Sequence, residues 1–457
     1  MLGHTIEDPI HFIGIGGSGM AGLAELAVIS GHKVQGSDVK SSPVLTRLAN
    51  LGIKISTHHT FDGAHNANTI VYSSAIAADN VELMGARNLG RLTLHRSEFL
   101  AHLMRNKRAI TVAGTHGKST TSAMITHMLD DLGCAPWSAT GGEMLRYQSS
   151  VKVGNSELFV AEADESDGSF LNYRPYIGVL TNVECDHMDF FKTEQSMTQA
   201  FHTYVSSTDP DGTAVIGWDH PLSREVGQKY LGHRLTYGFF LGSEVRARDY
   251  SCHDGRTHFT AIVERDMLKC TIPTMGRHNV QNALCALAVA RALELNVKTA
   301  AESLAEFRGV KRRMDRIFSN KKIKIFDDYA HNPGKIAAGV RTLRETWPNH
   351  KLHVVYQAHR FSRLETMYHE MLGALDGADY VYVVPVYSAG ESTTLDFSPT
   401  KLADDLKIHM DLEAVPCERL EDAVDSILQR LDEPSVVLTV GAGDVWRVAQ
   451  LLKETLA

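Results

Sequence analysis

Three times the chain runs from a short apolar stretch through a glycine turn into helical sequence. The stretches are "IHFIGIGGSGMAG" (10–22), "AITVAGTHGKSTTSAM" (109–124) and "SVVLTVGAGDVWRVAQ" (435–450). Such corners predict parallel strands joined by helical crossovers, since a parallel neighbour needs a connection long enough to return across the sheet. The glycines let backbone N–H groups come close to an anion at the helix N-terminus. At 457 residues the chain is too long for one hydrophobic core, so several domains are expected.

Short extended candidates at 11–16, 33–38, 53–57, 69–75 and 91–95 alternate with helical or loop sequence up to about residue 105. A second series begins with a strand at 109–113. "LFVAEAD" and "IGVLTNV" read as buried parallel strands because they are nearly continuous apolar runs. From about 213 to 273 "TAVIGWD", "RLTYGFF", "THFTAIV" and "LKCTIP" predict a smaller, partly antiparallel sheet, and 279–295 returns to helix. A third α/β series starts near 313 with "IKIF", "LHVVYQ", "YVYVVPVY" and "SVVLTVGAG".

Apolar residues make up 43% of the chain and charged residues 22%, as in ordinary soluble folded proteins. A net charge of -8 with no basic block argues against a broad nucleic-acid surface. The six scattered cysteines include no C-x-x-C pair and read as reduced thiols. Neither a signal-like N-terminus nor an apolar run of about 18 residues is present, so no membrane span and a cytoplasmic location are expected.

The motif with the most chemistry is Gly114-Thr115-His116-Gly117-Lys118-Ser119-Thr120. Its N–H groups would cradle phosphates, Lys118 would reach the β- and γ-phosphates, and a hydroxyl of Ser119 or Thr120 would ligate Mg²⁺. Val112 stands where the usual pattern has its first glycine. "EADESDGSFL" (162–171) ends a predicted strand, where carboxylates face a ligand crevice; Glu162 and Asp164 would be placed for a metal, or the stretch is a solvated acidic loop. "TNVECDHMD" (181–189) offers Asn182, Asp186, His187 and Asp189 as ligands, although a single loop histidine is commonly just hydrogen-bonded. Imidazole is less usual for Mg²⁺ and suits a second position that also accepts Mn²⁺.

"FDDYAHNP" (326–333) carries Asp327, Asp328, Tyr329 and His331, and "YQAHRFSR" (356–363) carries His359, Arg360 and Arg363. Two arginines beside a histidine suit a carboxylate, or form a basic surface turn. In "GRHNVQNA" (276–283) Asn279 and Asn282 either hydrogen-bond a base or cap a helix.

In this order the stretches resemble the Mur ligases of peptidoglycan synthesis, from "HFIGIGGSGMAGLAE" to "VGAGDV". "GTHGK", "EADES" and "DHMD" carry the resemblance to the superfamily, and "GIGGSGM" with "HRFSR" resembles its alanine-adding branch. The resemblance implies an α/β protein of three domains. A Rossmann-like UDP-sugar domain would span 1–105. A central P-loop-type ATPase domain, with a parallel sheet plus a smaller antiparallel one, would span 106–312. A C-terminal Rossmann-like domain for ATP and the amino acid would span 313–457. It also implies ATP-dependent joining of L-alanine to UDP-N-acetylmuramate through an acyl phosphate, by a monomer or homodimer.

By motif, the resemblance gives Lys118 to the phosphates, and Ser119 and Glu162 to a first Mg²⁺. His187 goes to a second, Asn279 and Asn282 to adenine, and Arg313 and Asp328 to phosphate and ribose. His331, His359, Arg360 and Arg363 would hold alanine. Gly16, Gly17, Ser18, Gly19, Met20, Asp38, Ser73, Ser74, Arg96 and Ser166 would bind the UDP-sugar.

Three features depart from the family pattern. "DDYAHNP" has Ala330 and Asn332 where the family has Gly and His, and "GKST" replaces the commoner G-K-T-T. "FKTEQSMTQAFHTY" offers no lysine at the spacing of the family's carbamylated lysine, so no bridging carbamate is expected.

Two other classes compete. An NAD(P) oxidoreductase built on Gly14–Gly19, with Asp38 on a ribose, leaves the P-loop, "EADES" and "DHMD" unused. A nucleotide-binding regulator would tolerate loss of Lys118, Glu162 or His187, and all three are present. Within the ligases, the rival adds a preformed tripeptide to UDP-N-acetylmuramate during wall recycling.

Overall fold

The computed structural model describes residues 5–431 and 433–457, without the side chains of Ser18 and Asp189. Its chain divides into two compact units. One runs through Ser251 and includes Thr257–Pro273 and Arg277–Gly309; the other comprises Cys252–Arg256, Thr274–Gly276 and Val310–Ala457.

The first unit holds two sheets, all but the Cys252–Arg256 tip of the second. Strands β1 (Ile10–Ile13), β2 (Val34–Ser37), β3 (Lys54–Ser56), β4 (Thr69–Tyr72) and β5 (Leu92–His95) form a wholly parallel sheet, ordered β3-β2-β1-β4-β5. All four residues of β1 are buried, as expected of a central strand covered by helices on both faces. The strand order reverses beside β1, which opens a crevice at its carboxyl end where the glycine turn lies.

The second sheet has ten strands: β6 (Arg108–Ala113), β7 (Trp137–Met144), β8 (Ser149–Lys152), β9 (Leu158–Glu162), β10 (Ile177–Leu180), β11 (Thr213–Gly217), β12 (Arg234–Gly238), β13 (Val245–His253), β14 (Arg256–Val263) and β15 (Asp266–Ile272). Their order is β15-β14-β13-β12-β11-β10-β6-β9-β7-β8. The strands read as a separate smaller sheet continue the same one: β11 and β12 extend it in parallel from β10, and β14 and β15 close that edge as an antiparallel hairpin. The reason lies in burial. Residues 214–217 of β11 are all buried, as between two neighbours, whereas β15 alternates at the edge. Strand β6 runs between β9 and β10, with Val112 opposite Glu162 and Ala113 opposite Leu180. Three chemistry-bearing loops therefore leave adjacent strands at the same end.

The second unit is one six-stranded sheet of β16 (Asp315–Ser319), β17 (Ile323–Asp328), β18 (Lys351–Tyr356), β19 (Tyr380–Val383), β20 (Glu413–Pro416) and β21 (Ser435–Val440). Its order is β16-β17-β21-β18-β19-β20, with only β16 antiparallel. The half-exposed edge strands β16 and β20 carry no long apolar run, so the sequence pattern does not predict them. Register sets Asp328, Val440 and Tyr356 side by side at the carboxyl ends. Among the described residues no helix is long and apolar enough to cross a membrane.

Candidate active site

The P-loop is built by two left-handed glycines. Gly114 (φ +132) and Gly117 (φ +82) turn the chain from β6 into the helix Lys118–Asp131. A Cβ on Gly114 would lie 2.1 Å from Thr181 Oγ1, and one on Gly117 2.7 Å from Asn282 Oδ1. The loop is braced by the strand end after β10. Asn182 Oδ1 accepts from the His116 N–H at 2.9 Å, while Thr181 Oγ1 and Asn182 Nδ2 donate to the His116 carbonyl at 2.7 and 3.1 Å. Asn182, one of the expected ligands, thus supports the loop.

Lys118 is turned inward. Its Nζ donates to the Gly114 carbonyl at 2.8 Å and pairs with the Glu165 carboxylate, 2.9 Å from Oε1 and 2.8 Å from Oε2. Burial alone would lower the ammonium's pKa, but Glu165, Glu162 and Asp164 outweigh it and hold it above its ordinary value. Burial pushes the Glu165 carboxyl up, with Lys118 pulling the other way. Glu165 did not stand out in the sequence, although it lies inside the acidic motif. His187, in the left-handed region (φ +54), brings Nε2 to 3.9 Å from Glu165 Oε1.

Asn279 and Asn282 pack on the P-loop as a buried chain. Thr121 Oγ1 donates to Asn282 Oδ1 at 3.0 Å, and Asn282 Nδ2 donates to Asn279 Oδ1 at 3.0 Å. Both lie inside the helix Arg277–Ala292, so neither is its N-cap. The neighbouring His278 imidazole is pushed down to about 4 by burial and by His116.

Beside the P-loop strand, a cavity of about 410 Å³ is lined by Gly17 of the first glycine turn, Gly19 and Met20 of the helix it opens, Ser73 and Ser74 after β4, Arg96 after β5, Glu162 at the end of β9 and Asp164 after it. Two loops that are far apart in sequence thus share one chamber. Arg96 Nη2 donates to Asp164 Oδ2 at 3.0 Å, and Ser74 Oγ donates to Asp167 Oδ2 at 2.5 Å. Burial would raise the Asp164 carboxyl; Lys118, the Ser166 N–H and Arg96 together hold it below its usual range. Glu162 Oε2 accepts from the Gly141 N–H at 2.7 Å. Gly16 and Asp38 act as a brace, with the Gly16 N–H donating to Asp38 Oδ2 at 2.9 Å. The Ser18 side chain lies outside the described residues, as does that of Asp189. Among the described residues no three His, Cys, Asp or Glu side chains converge as a preformed metal site, so any cation there would draw ligands from substrate and water as well.

In the second unit, His331, His359 and Arg363 come together. The two imidazole rings are 5.8 Å apart, and Arg363 Nη1 donates to His359 Nδ1 at 3.3 Å. Tyr387, unnoticed in the sequence, stacks on His359 at 5.7 Å, and Arg360 Nη1 stands 3.9 Å from Glu391 Oε1. Burial, aided by Arg363, Lys335 and His359, pushes the His331 imidazole down to about 3; burial and the two arginines lower His359 as well. Both rings are therefore neutral near pH 7. Asp328 is turned onto its own backbone, accepting from the N–H groups of Met314 at 2.9 Å and Ala330 at 2.7 Å. Arg313 lies 5.5 Å from the Tyr329 ring centre. The two departures from the family motif fit locally: Ala330 is buried, and Asn332 caps the helix Pro333–Thr346 by accepting from the Lys335 N–H at 2.9 Å.

Three family models match in succession: "Mur ligase family, catalytic domain" over residues 9–108, "Mur ligase middle domain" over 112–290 and "Mur ligase, glutamate ligase domain" over 312–443. The UDP-N-acetylmuramate–L-alanine ligase of Desulforapulum autotrophicum is 34% identical over 449 residues, 98% of each chain. That of Carboxydothermus hydrogenoformans is 37% identical over 448 residues, covering 97% of this chain and 96% of the relative. Among solved structures, UDP-N-acetylmuramate-alanine ligase from Thermotoga maritima superposes with a TM-score of 0.83 at 29% identity, covering 98% of both chains. A murein peptide ligase from Psychrobacter arcticus shares the fold with a TM-score of 0.71 at 24% identity, again over 98% of both. With its motifs in order and matched along nearly its whole length, the chain belongs to the Mur ligase family.

Proposed function

We propose that this chain is an ATP-dependent ligase that joins L-alanine to the carboxylate of UDP-N-acetylmuramate. The observation that carries the reading is the shared chamber: a diphosphate-type glycine turn, Arg96 and Glu162 line one cavity beside the P-loop strand. A sugar nucleotide held by its diphosphate at Gly17–Met20 would extend its acid toward the P-loop. The acid oxygen attacks the γ-phosphorus of ATP and ADP leaves; the alanine amine then attacks the acyl carbon and phosphate departs. Such chemistry needs positioning and charge neutralisation more than a protein nucleophile.

In this reading Lys118 stabilises the transferring phosphoryl group, and Asn279 and Asn282 meet the adenine side of the nucleotide. Arg360 and Arg363 bind the alanine carboxylate. His331 and His359, both neutral, would accept a hydrogen bond from its ammonium. The oxygen donors Ser119 and Glu162, completed by phosphate and water, suit Mg²⁺, and His187 suits a second cation, Mg²⁺ or Mn²⁺. When bound, the cations would neutralise charge on the phosphates. The three-way division at about 105 and 312 belongs to the same proposal, as do a cytoplasmic location and a monomer or homodimer.

The test is release of ADP by purified protein given ATP, Mg²⁺ and UDP-N-acetylmuramate, with L-alanine, glycine, L-serine or the wall tripeptide as acceptor. Turnover is expected with L-alanine. Turnover only with the tripeptide overturns the acceptor, and none with any acceptor overturns the ligase.

A further inference from the structure

Glu165 is the most deeply buried carboxylate of the acidic loop, 2% exposed, and it touches two groups of different kinds. Lys118 lies 2.8 Å from Oε2, and His187 Nε2 lies 3.9 Å from Oε1. In this state Lys118 is withheld from phosphate, because its Nζ is spent on the Gly114 carbonyl and on Glu165. A nucleotide must draw the ammonium outward, which leaves a buried carboxylate without its counter-charge, a strongly unfavourable state. Besides its own backbone N–H and the like charge of Asp164, the carboxylate has His187 near it, a histidine whose position is fixed by its left-handed backbone and by the bond from its N–H to Asp186 Oδ1 at 2.9 Å. Ligands of one octahedral ion, each at about 2.1 Å, stand about 3.0 Å apart when adjacent and about 4.2 Å when opposite, so from the observed 3.9 Å a shift of about 1 Å or less seats one divalent cation between Glu165 and His187.

We propose that Glu165 exchanges partners during the cycle: it holds Lys118 while nucleotide is absent, and with His187 it takes the second divalent cation once phosphate has claimed the lysine. The proposal rests on the ligase reading for its order of events. The Glu165 carboxylate is then a competitor of the nucleotide in one state and a ligand in the next.

The two roles give opposite signs in one variant. Glu165→Gln keeps the shape and removes the charge. Metal-free ADP, measured by calorimetry in the presence of a chelator, should bind severalfold more tightly than to the unaltered protein. Mn²⁺ added to the ADP complex, followed by electron paramagnetic resonance, should bind about tenfold more weakly or worse. A carboxylate that only stabilises the fold would weaken both. Unchanged or weaker metal-free ADP binding, or unchanged Mn²⁺ affinity, overturns the proposal. Should Glu165→Gln fail to fold, Glu165→Asp shortens the reach and should also weaken Mn²⁺; equal affinity there is equally fatal. Neither readout uses an amino-acid acceptor, so failure of the ligase assay remains a separate result.

Discussion

Arg96 and Asp164 meet at 3.0 Å across the cavity wall, which joins the end of the first sheet to the acidic loop of the second. The guanidinium is thus presented beside the first glycine turn with a carboxylate to aim it, and the same loop holds Lys118 one residue further on.

Replacing Arg96 with Ala should raise the KM for UDP-N-acetylmuramate by about tenfold or more, the equivalent of one charged hydrogen bond of about 1.5–3 kcal/mol. The KM for ATP should change much less. Steady-state kinetics on the two substrates separate the outcomes, and an equal rise in both would show that Arg96 only supports the fold.

Gly117→Ala puts a Cβ 2.7 Å from Asn282 Oδ1 and forces a side chain to φ +82. The strain should cost about 1–3 kcal/mol and lower the denaturation midpoint. ADP affinity should fall with it, because this turn sets the N–H groups that would face phosphate in the proposed function. Thermal melting with and without ADP is the check.

How much of this was legible in the sequence follows from how local each signal is. The P-loop and β6 were readable because a strand, two glycines and a lysine lie within a dozen residues. Glu165 was not, because nothing in "EADES" tells which carboxylate folds back on a lysine 47 residues away. Tyr387 meets His359 only through the pairing of two loops beyond β18 and β19. The strands after residue 213 are each legible in the pattern, but whether they close a sheet of their own or extend the preceding one depends on β10, which local alternation does not report.

Asn332 stands where the family pattern has histidine, and it acts as a helix cap. Asn332→Ala should lose about 0.5–2 kcal/mol of stability, while Asn332→Asp should retain most of it. Because His331 is the adjacent residue, the alanine variant should also raise the KM for L-alanine. Urea denaturation and acceptor kinetics on both variants test the two effects.

His353 is fully buried in β18, and burial lowers it to about 4, well below the ordinary 6.5. In that window the unfolded chain binds the extra proton. Its contribution is therefore complete above the unfolded value and is lost as pH falls from about 6.5 toward 4. Between pH 7 and 5 this amounts to roughly 1–2 kcal/mol. His278 and His331, lowered to about 4 and about 3, act in the same direction. Denaturation at the two pH values should show a smaller acid loss in His353→Phe than in the unaltered protein; an identical loss would rule out this histidine.

The proposed reaction phosphorylates the carboxylate of UDP-N-acetylmuramate and then captures it with L-alanine. It is tested most directly with the sugar nucleotide's carboxylate labelled with heavy oxygen, incubated with ATP, Mg²⁺ and equal amounts of L-alanine and tripeptide. Mass spectrometry should find the alanyl product and one labelled oxygen in the released phosphate. A tripeptide product, or phosphate without label, would contradict it.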